Sequence, residues 1–287
     1  MQKIALLTDS TADTPKDYVE KYNIHVIPVG INYEHESYKD GVDITPEQVY
    51  ARFPEEVPKT SLPAPGEVHE LFNQLEEEGY THVLGVTIAS GLSGTHDLIH
   101  SVAVGHSNLI CEIVDTKLIG MGAGMVVAAV AEKLDRGATF EEAAAYAYKI
   151  SKQTHLFFGL DTLDYVYRGG RLGKVAYLAG TKFDIRPVIT CDNETGAYVT
   201  YAKAHGRKAS LKKCVKACCD LAEGQSRYRL AVVHGGAEQE ARGVEAMMQE
   251  KLPDAEISYF GQITPALVVH AGPGMIGVGI QTLDEDD

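Results

Sequence analysis

The sequence predicts an α/β protein of two domains, an N-terminal parallel sheet flanked by helices and a C-terminal mixed sheet with helices. The first half of the chain alternates apolar strand-like runs with helical stretches, which is typical of a parallel sheet covered by helices. The second half carries a hairpin signal, which favours antiparallel pairs in its sheet. The length of 287 residues is long for one compact core. We therefore expect domains over residues 1–153 and 154–287, with the boundary near Gln153.

The first predicted domain begins with a short buried strand over Ile4–Thr8. A helix over Pro15–Tyr22 follows, because proline suits the first position of a helix. The run His25–Tyr33 predicts a second strand, and Thr45–Gln48 combines an N-cap, a proline and a glutamine that together start a helix. The other predicted elements of this half are strands over His82–Ala89 and Ile110–Thr116 and helices over Glu67–Glu78, Thr95–Val104, Gly120–Leu134 and Thr139–Lys152.

The second predicted domain contains a hairpin around the loop Cys191–Gly196, which holds the asparagine and glycine typical of tight turns. Leu163–Val166 starts a helix that the pair Gly169-Gly170 ends. The apolar run Leu267–Val269 predicts a strand that ends at His270. The other expected elements are strands over His155–Leu160, Ile185–Thr190, Ala197–Lys203, Arg229–His234, Glu256–Phe260 and Met275–Gln281 and helices over Ser210–Ala222 and Ala237–Lys251.

The composition disfavours several classes of function. With 26 basic and 40 acidic residues the net charge is −14, which disfavours nucleic acid and anionic membrane surfaces as general partners. No apolar run is long enough to span a membrane, and the start Met1–Ile4 lacks a secretory signal, so we expect a cytoplasmic protein. Cys214, Cys218 and Cys219 lack metal-ligand spacing and are expected to be free thiols. Nucleotide and metal motifs do not occur, so we expect no metal and no cofactor.

Polar clusters follow several predicted strands, at the sheet edge where open α/β proteins bind ligands. The clusters are Asp9-Ser10-Thr11, Ser90–Thr95, Asp115-Thr116, Asp161-Thr162 and His234-Gly235-Gly236. The same residue types also cap helices. For Ser10, Thr11, Asp115 and Thr116, capping is the better interpretation, whereas the convergence of the clusters indicates a ligand site.

The segment Ser90–Thr95 holds three hydroxyls and two glycines directly after an apolar run. Free backbone N–H groups and hydroxyls at such a turn suit a carboxylate or a phosphate. From spacing alone, Ser93 is a helix cap, a ligand contact, or a nucleophile with His270 as its base. The Gly-x-Ser-x-Gly pattern of the hydrolase elbow is absent.

Three further segments carry polar groups suited to an acid. Lys59-Thr60-Ser61 adds two hydroxyls, and the glycines of His270–Gly274 permit close backbone approach. Arg168–Arg171 places two guanidinium groups around a flexible turn, where they are either solvated or form a fork for a carboxylate or phosphate. These residues favour a binding protein that holds an acid by its head group.

Taken together, six segments resemble the DegV family, whose members bind fatty acids and serve bacterial fatty acid kinase. Each segment alone is a weak signal, but their order and spacing extend over nearly the whole chain. The segments are Thr8–Asp13, Lys59–Pro63, Ser90–Thr95, Val114–Lys117, Gly169–Leu172 and His270–Gly274.

The resemblance implies a protein that is not itself an enzyme and that buries one long-chain fatty acid between its two domains. The residues implied for the carboxylate are Thr60, Ser61, Ser93 and His270, and Gly94 and Thr95 are also expected to bind the ligand. Arg171 would face the head group or the phosphoryl-transfer partner. A separate ATP-dependent fatty acid kinase would phosphorylate the acid, and the acyl phosphate would pass to phospholipid synthesis, with transient membrane contact.

Two positions depart from the family pattern. A second arginine is replaced in the segment Ala204–Arg207, where either His205 or Arg207 takes its place, and Leu62 stands where relatives carry a polar residue. Two other classes remain open from the residues themselves. One is a hydrolase or acyltransferase that uses Ser93 with His270. The other is a phosphate-binding or transferase domain based on the glycine loops and Arg171.

Overall fold

The computed structural model describes residues 2–172 and 184–285, which form three sheets and the helices that cover them. The strands are β1 (Ile4–Asp9), β2 (His25–Ile27), β3 (Gly30–Asn32), β4 (Ser37–Lys39), β5 (Lys59–Ser61), β6 (His82–Thr87), β7 (Ile110–Asp115), β8 (Thr154–Gly159), β9 (Ile185–Cys191), β10 (Tyr198–His205), β11 (Arg227–His234), β12 (Ile257–Gln262) and β13 (Ile276–Leu283). The α-helices are α1 (Lys16–Lys21), α2 (Pro46–Arg52), α3 (Pro65–Glu77), α4 (Thr95–Val104), α5 (Met121–Asp135), α6 (Phe140–Lys152), α7 (Asp164–Arg168), α8 (Arg207–Ala222), α9 (Glu238–Lys251) and α10 (Pro265–Ala271).

The four-stranded sheet has the order β2-β1-β6-β7 and is parallel throughout, which confirms the predicted N-terminal architecture. Polar side chains join its strand ends. Asp9 Oδ2 accepts a hydrogen bond from the Ile88 N–H at 3.0 Å, and Thr116 Oγ1 donates to the Thr87 carbonyl at 2.8 Å. These residues therefore fix the carboxyl-end loops of adjacent strands relative to one another.

The six-stranded sheet is mixed, as the sequence predicts, with the order β10-β9-β8-β13-β11-β12. Among the described strands of this sheet, only β11 and β12 pair in parallel, and the hairpin β9–β10 lies at one edge. The expected loop around Cys191–Gly196 joins these two strands, although Cys191 itself ends β9. Here the hairpin chemistry predicts both strands and their antiparallel direction.

Helix α5 lies between the two large sheets and contacts β6 on one side and β8 and β13 on the other. Every residue from Met121 to Ala131 is buried, because the helix is covered on both sides. Arg229 Nη2 donates to Glu132 Oε2 at 2.6 Å, and the Tyr18 hydroxyl donates to Glu132 Oε1 at 2.9 Å. The buried ion pair joins the last turn of α5 to the larger sheet.

The predicted single strand over His25–Tyr33 is wrong. Pro28 interrupts it, since proline lacks the N–H that a strand ladder needs. The two halves become β2 in the parallel sheet and β3 in a small antiparallel sheet of order β4-β3-β5. Thr60 lies in β5, a strand that the sequence analysis did not assign.

The predicted strand over Leu267–Val269 is also wrong, because this run lies within α10. Pro265 occupies the first turn, where a missing N–H costs nothing. Two buried carboxylates accept N–H groups at the start of α10: Asp13 Oδ1 from the N-cap residue Thr264 at 2.9 Å and Asp40 Oδ1 from Ala266 at 2.8 Å. These distant caps favour a helix over the strand that the local β-branched residues indicate.

Within the described ranges, no helix has the length and apolar character needed to cross a membrane.

Candidate binding cavity

A largely apolar cavity of about 260 Å³ lies between the carboxyl ends of the parallel sheet, the inner face of the larger sheet and α10. Its apolar wall includes Ile88 from the loop after β6, Phe158 from β8, Val233 from β11 and Met275 just before β13. The volume is close to the lower end of the roughly 300–1,000 Å³ of small-molecule pockets. Polar groups gather at one end, which we call the head end; they belong to Thr60, Ser61, Ser93, Arg171 and His270.

Thr60 and His270 meet at the head end, although 210 positions separate them in the sequence. Thr60 Oγ1 lies 2.8 Å from His270 Nε2, within hydrogen-bonding distance. The ring packs against the turn after α7, where a Cβ on Gly169 would lie 2.3 Å from His270 Nδ1. Only glycine leaves room for the imidazole there, so the Gly169-Gly170 turn positions the histidine as well as ending α7.

The histidine is neutral at physiological pH. Burial, assisted by the charge of Arg171, lowers the pKa of His270 to about 4. Its Nδ1 is buried and has no hydrogen-bond partner among the described residues. Because a buried N–H without an acceptor is costly, we assign the ring proton to Nε2, which then donates to Thr60 Oγ1. The Thr60 hydroxyl proton is thereby left to donate to a ligand.

Ser93 reaches the cavity from the loop before α4, and Thr95 supports it. The Ser93 and Thr95 hydroxyl oxygens lie 2.8 Å apart, and the Thr95 N–H donates to Ser93 Oγ at 3.3 Å. Thr95 is fully buried and does not line the cavity. Gly94 is the N-cap residue of α4 and lines a neighbouring surface cleft rather than the cavity. Of the three predicted loop residues, Ser93 alone faces the cavity.

Arg171 joins two loops at the head end and supplies its positive charge. Its Nε donates to the Leu92 carbonyl at 3.2 Å, and its Nη1 donates to the Gly169 carbonyl at 2.6 Å. The guanidinium thus holds the Ser93 loop against the turn that positions His270. Because His270 is neutral, the head end carries the single positive charge of Arg171, which one carboxylate balances.

The remaining predicted positions lie at the edge of the site. Ser61 Oγ accepts a hydrogen bond from Asn32 Nδ2 at 3.0 Å and also lines the cavity. Leu62 is 45% exposed at the rim, with its methyl groups 3.6 Å from the place a Cβ on Gly94 would take. Arg207 does not line the cavity; its Nη2 donates to Glu240 Oε2 at 2.9 Å and to the Gly274 carbonyl.

Sequence reasoning missed the buried carboxyl of Asp13, which lines the cavity beside Leu267 of α10. Burial, with the nearby charges of Asp40 and Asp9, raises the pKa of Asp13 to about 8, and burial raises that of Asp40 to about 6. Asp13 has a φ of 49°, a left-handed conformation that aspartate tolerates better than most residues. In the sequence, the one local indication that Asp13 could belong to a ligand site is its place in a polar loop after a strand.

The five cysteines are free thiols, as expected, and burial raises the pKa of Cys214 to about 12. In residues 2–172 and 184–285, no group of three or more histidine, cysteine or acidic side chains has the arrangement of a metal site.

This geometry defines a class: an α/β protein with a parallel and a mixed sheet, which together with α10 enclose an apolar cavity that is polar at one end. The family-level comparison agrees, since the model described as "Uncharacterised protein, DegV family" matches residues 3–283. The chain therefore belongs to the DegV family.

Individual relatives cover almost the whole chain. A DegV domain-containing protein of Clostridium acetobutylicum is 39% identical over 279 residues, which cover 97% of this chain and 98% of the relative. A DegV family protein from Thermus thermophilus, described as fatty acid binding, has a TM-score of 0.91 and 27% identity, over 98% of this chain and 100% of that one. A stearic acid-binding protein from Eubacterium ventriosum has a TM-score of 0.88 and 25% identity, over 98% of both chains.

Proposed function

We propose that the protein binds one long-chain fatty acid in this cavity, with the carboxylate at the head end and the acyl chain along the apolar wall. The observation that carries the proposal is the pair Thr60–His270, bonded at 2.8 Å at the head end of a largely apolar cavity. The fatty acids bound by the Thermus and Eubacterium relatives support the same ligand class.

The head end suits a carboxylate because it offers donors to the charged form. The Thr60 and Ser93 hydroxyls donate, and Arg171 supplies a nearby positive charge. Hydrogen bonds to a charged group contribute about 1.5–3 kcal/mol each. Ser61 completes the set at the cavity edge, and Gly94 and Thr95 act through the position of Ser93.

The apolar wall supplies most of the affinity. Burying an acyl chain contributes about 0.8 kcal/mol per methylene, so the 14 methylenes of palmitate contribute about 11 kcal/mol before ordering costs. We infer that the chain sets the affinity and the polar residues set the orientation.

The contacts favour a carrier over a Ser93/His270 hydrolase or acyltransferase. His270 Nε2 is bonded to Thr60 and Ser93 Oγ to Thr95, whereas a nucleophile needs the histidine as its partner. His270 Nδ1 also has no acidic side chain to orient it among the described residues. A phosphate site at the glycine loops is less favoured, because Arg171 already donates to two carbonyl groups.

As a carrier, the protein would present the carboxylate to a separate ATP-dependent kinase for acyl-phosphate formation and deliver the product to phospholipid synthesis at the membrane. This role requires a cytoplasmic location, where ATP is available. It also requires access to the head end, and the half-exposed Leu62 marks the side from which the carboxylate is reached. We further propose domains over 1–153 and 154–287, since α6 ends at Lys152 and β8 begins at Thr154. The ligand would lie between them, because residues of both ranges, such as Ile88 and Val233, line the cavity.

The test measures stearate binding to Ser93→Ala and to a matched surface control, Ser107→Ala. We expect the first variant to bind about tenfold or more weakly, because a donor to the carboxylate is lost, and the control to bind like the parent protein. Unchanged binding in Ser93→Ala would remove Ser93 from the site. Burst-phase release from an activated acyl ester that requires Ser93 would instead establish the hydrolase.

The kinase step has its own assay. The loaded protein is incubated with ATP and the catalytic subunit of a bacterial fatty acid kinase, and acyl phosphate is trapped with hydroxylamine. We expect acyl hydroxamate only when all three components are present. Its absence with a stoichiometrically loaded protein would refute the kinase role and leave the binding function standing.

A further inference from the structure

The loop that carries Ser93 is held from outside the cavity. This segment, Ala89–Gly94, joins β6 to α4, and we call it the head-end loop. The Ala89 carbonyl accepts the N–H groups of Leu92 and Ser93 at 3.0 and 3.2 Å, so the loop turns tightly about one backbone oxygen. The place of Ser93 Oγ therefore depends on what holds the preceding residues of the loop.

Asp115, the last residue of β7, holds the head-end loop at Ser90. Asp115 Oδ1 accepts hydrogen bonds from the Ser90 N–H at 3.2 Å and from the Lys117 N–H at 3.0 Å. Asp115 Oδ2 accepts from Lys117 Nζ at 2.6 Å, and the same ammonium group donates to Ser90 Oγ at 3.2 Å. One carboxylate and its lysine thus hold both the backbone and the side chain of Ser90.

Asp115 and Lys117 form a charged pair that does not contact the cavity. Burial raises the pKa of Asp115, but hydrogen bonds from Lys117 and Ser90 outweigh this effect and bring the pKa below its usual value, so the carboxylate is charged at neutral pH. The Asp115 side chain is 12% exposed, and neither member of the pair lies among the residues that line the cavity. The pair can therefore influence a bound ligand only through the loop that it holds.

Two further contacts confine the head-end loop. The turn between β9 and β10 packs against it so closely that a Cβ on Gly91 would overlap the Thr195 carbonyl oxygen. Arg171 Nε donates to the Leu92 carbonyl at 3.2 Å. With the anchor at Ser90, three successive residues of the loop are held by three different parts of the chain. Of these anchors, the one at Ser90 can be removed without changing the glycine packing or the cation of the head end.

On the basis of the binding function proposed above, we propose that Asp115 is a positioning residue for the fatty acid carboxylate, because through Ser90 it sets the place of the Ser93 hydroxyl. A group that holds a binding residue contributes to affinity through the geometry of that residue, without touching the ligand. The contribution of Asp115 is therefore limited to that of the Ser93 contact, and it concerns the charged head group and not the acyl chain. A residue that only capped the loop would stabilise the fold without this selectivity.

The experiment is a double-mutant cycle on the purified full chain, with the Kd for stearate as the readout. Asp115→Ala is expected to weaken stearate binding about five- to tenfold in the parent protein and by less than about twofold when Ser93 is already alanine. Losses that multiply in the double variant would overturn the positioning role, because Asp115 would then act independently of Ser93. Failure of the parent protein to bind stearate would instead refute the proposed function on which this role depends.

The ligand and the substituted side chain provide controls that separate positioning from stability. Methyl stearate has no charged carboxylate, so its affinity should fall by less than about twofold in Asp115→Ala; equal losses for the acid and the ester would overturn the proposal. Asp115→Asn keeps an acceptor for the Ser90 N–H and is expected to bind stearate within about threefold of the parent protein. If Asp115→Asn binds as weakly as Asp115→Ala, the hydrogen bond to Ser90 does not have the role proposed.

Two other variants complete the design. The matched control is Asp220→Ala, which removes an exposed ion pair with Lys216, also at 2.6 Å, and should bind stearate like the parent protein. If Asp115→Ala does not fold, Lys117→Met takes its place in the cycle, since it removes the donor to Ser90 Oγ. Its expected loss of about threefold must likewise disappear in the Ser93→Ala background, and a loss that persists there would overturn the proposal.

Discussion

Replacing Thr60 by valine removes one hydroxyl from the head end and keeps the branched shape of the side chain. Thr60 lies in β5 and pairs with Ile31 of β3, where a β-branched residue of the same size fits the strand. The substitution deletes the donor to the carboxylate and leaves His270 Nε2 without its acceptor at 2.8 Å. The apolar wall, which contributes most of the affinity, is unchanged.

The expected loss follows from the charge of the ligand. A hydrogen bond to a charged group contributes about 1.5–3 kcal/mol, which corresponds to a stearate Kd about 10- to 150-fold weaker. Thr60→Ser retains the hydroxyl and is expected to bind within about threefold of the parent protein. Methyl stearate provides a second control, since an ester has no charged carboxylate and its affinity should fall by less than about tenfold in Thr60→Val.

The assay is displacement of a fluorescent fatty acid at pH 7.5, with thermal unfolding measured on each variant. If Thr60→Val and Thr60→Ser bind stearate alike, with both variants folded, the hydroxyl does not hold the carboxylate. An equal loss of stearate and methyl stearate affinity in Thr60→Val would mean that the cavity has changed shape and that no carboxylate contact was removed.

Two further predictions concern the turn that positions the histidine and the buried carboxyl. Gly169→Ala places a Cβ 2.3 Å from His270 Nδ1, so the ring must move and stearate binding should weaken about tenfold. The control is Gly243→Ala, whose Cβ meets no atom within 4 Å. Equal stearate binding by the two variants would contradict the role of Gly169. Because the raised pKa of Asp13 makes the folded state bind more protons than the unfolded chain, its contribution to stability is lost as the pH rises from about 4 through 8. In urea titrations between pH 6.5 and 8, the free energy of unfolding of the parent protein should fall relative to that of Asp13→Asn. The expected fall is up to about 1.4 kcal/mol per pH unit. If the unfolding free energies of the two proteins change in parallel with pH, Asp13 is ionised in the folded state.

The sequence predicts the elements whose chemistry is local. The parallel sheet follows from alternating strands and helices, and the β9–β10 hairpin from its asparagine- and glycine-containing loop. Helix α2 begins at the predicted cap, where Thr45 and Gln48 form both hydrogen bonds of a capping box. In each of these cases the signal lies within a few residues of the element that it specifies.

The predictions of secondary structure that are wrong concern elements that distant residues determine. The run Leu267–Val269 has strand-like side chains but becomes helical because Asp13 and Asp40 cap α10 from more than 200 residues away. The three-residue strands β3, β4 and β5 are too short for a periodicity to be seen, so the strand that carries Thr60 could not be assigned.

In the site, too, local features can be predicted from the sequence and long-range contacts cannot. The strand-end hydroxyls make Ser93 one candidate ligand contact among other interpretations, and the glycine-rich segment makes His270 a second candidate. That Thr60 and His270 are bonded, and that Asp13 faces the same cavity, depends on packing between the two halves of the chain. Packing of this kind cannot be predicted from residues that are neighbours in the sequence.

The central claim is that a fatty acid occupies the cavity, and native mass spectrometry of the protein purified without detergent tests it most directly. Denaturing extraction and lipid analysis would then identify the ligand. The account predicts one long-chain fatty acid per chain, released on denaturation and depleted in Thr60→Val. A protein that is empty as isolated and takes up neither added oleate nor palmitate would contradict the account.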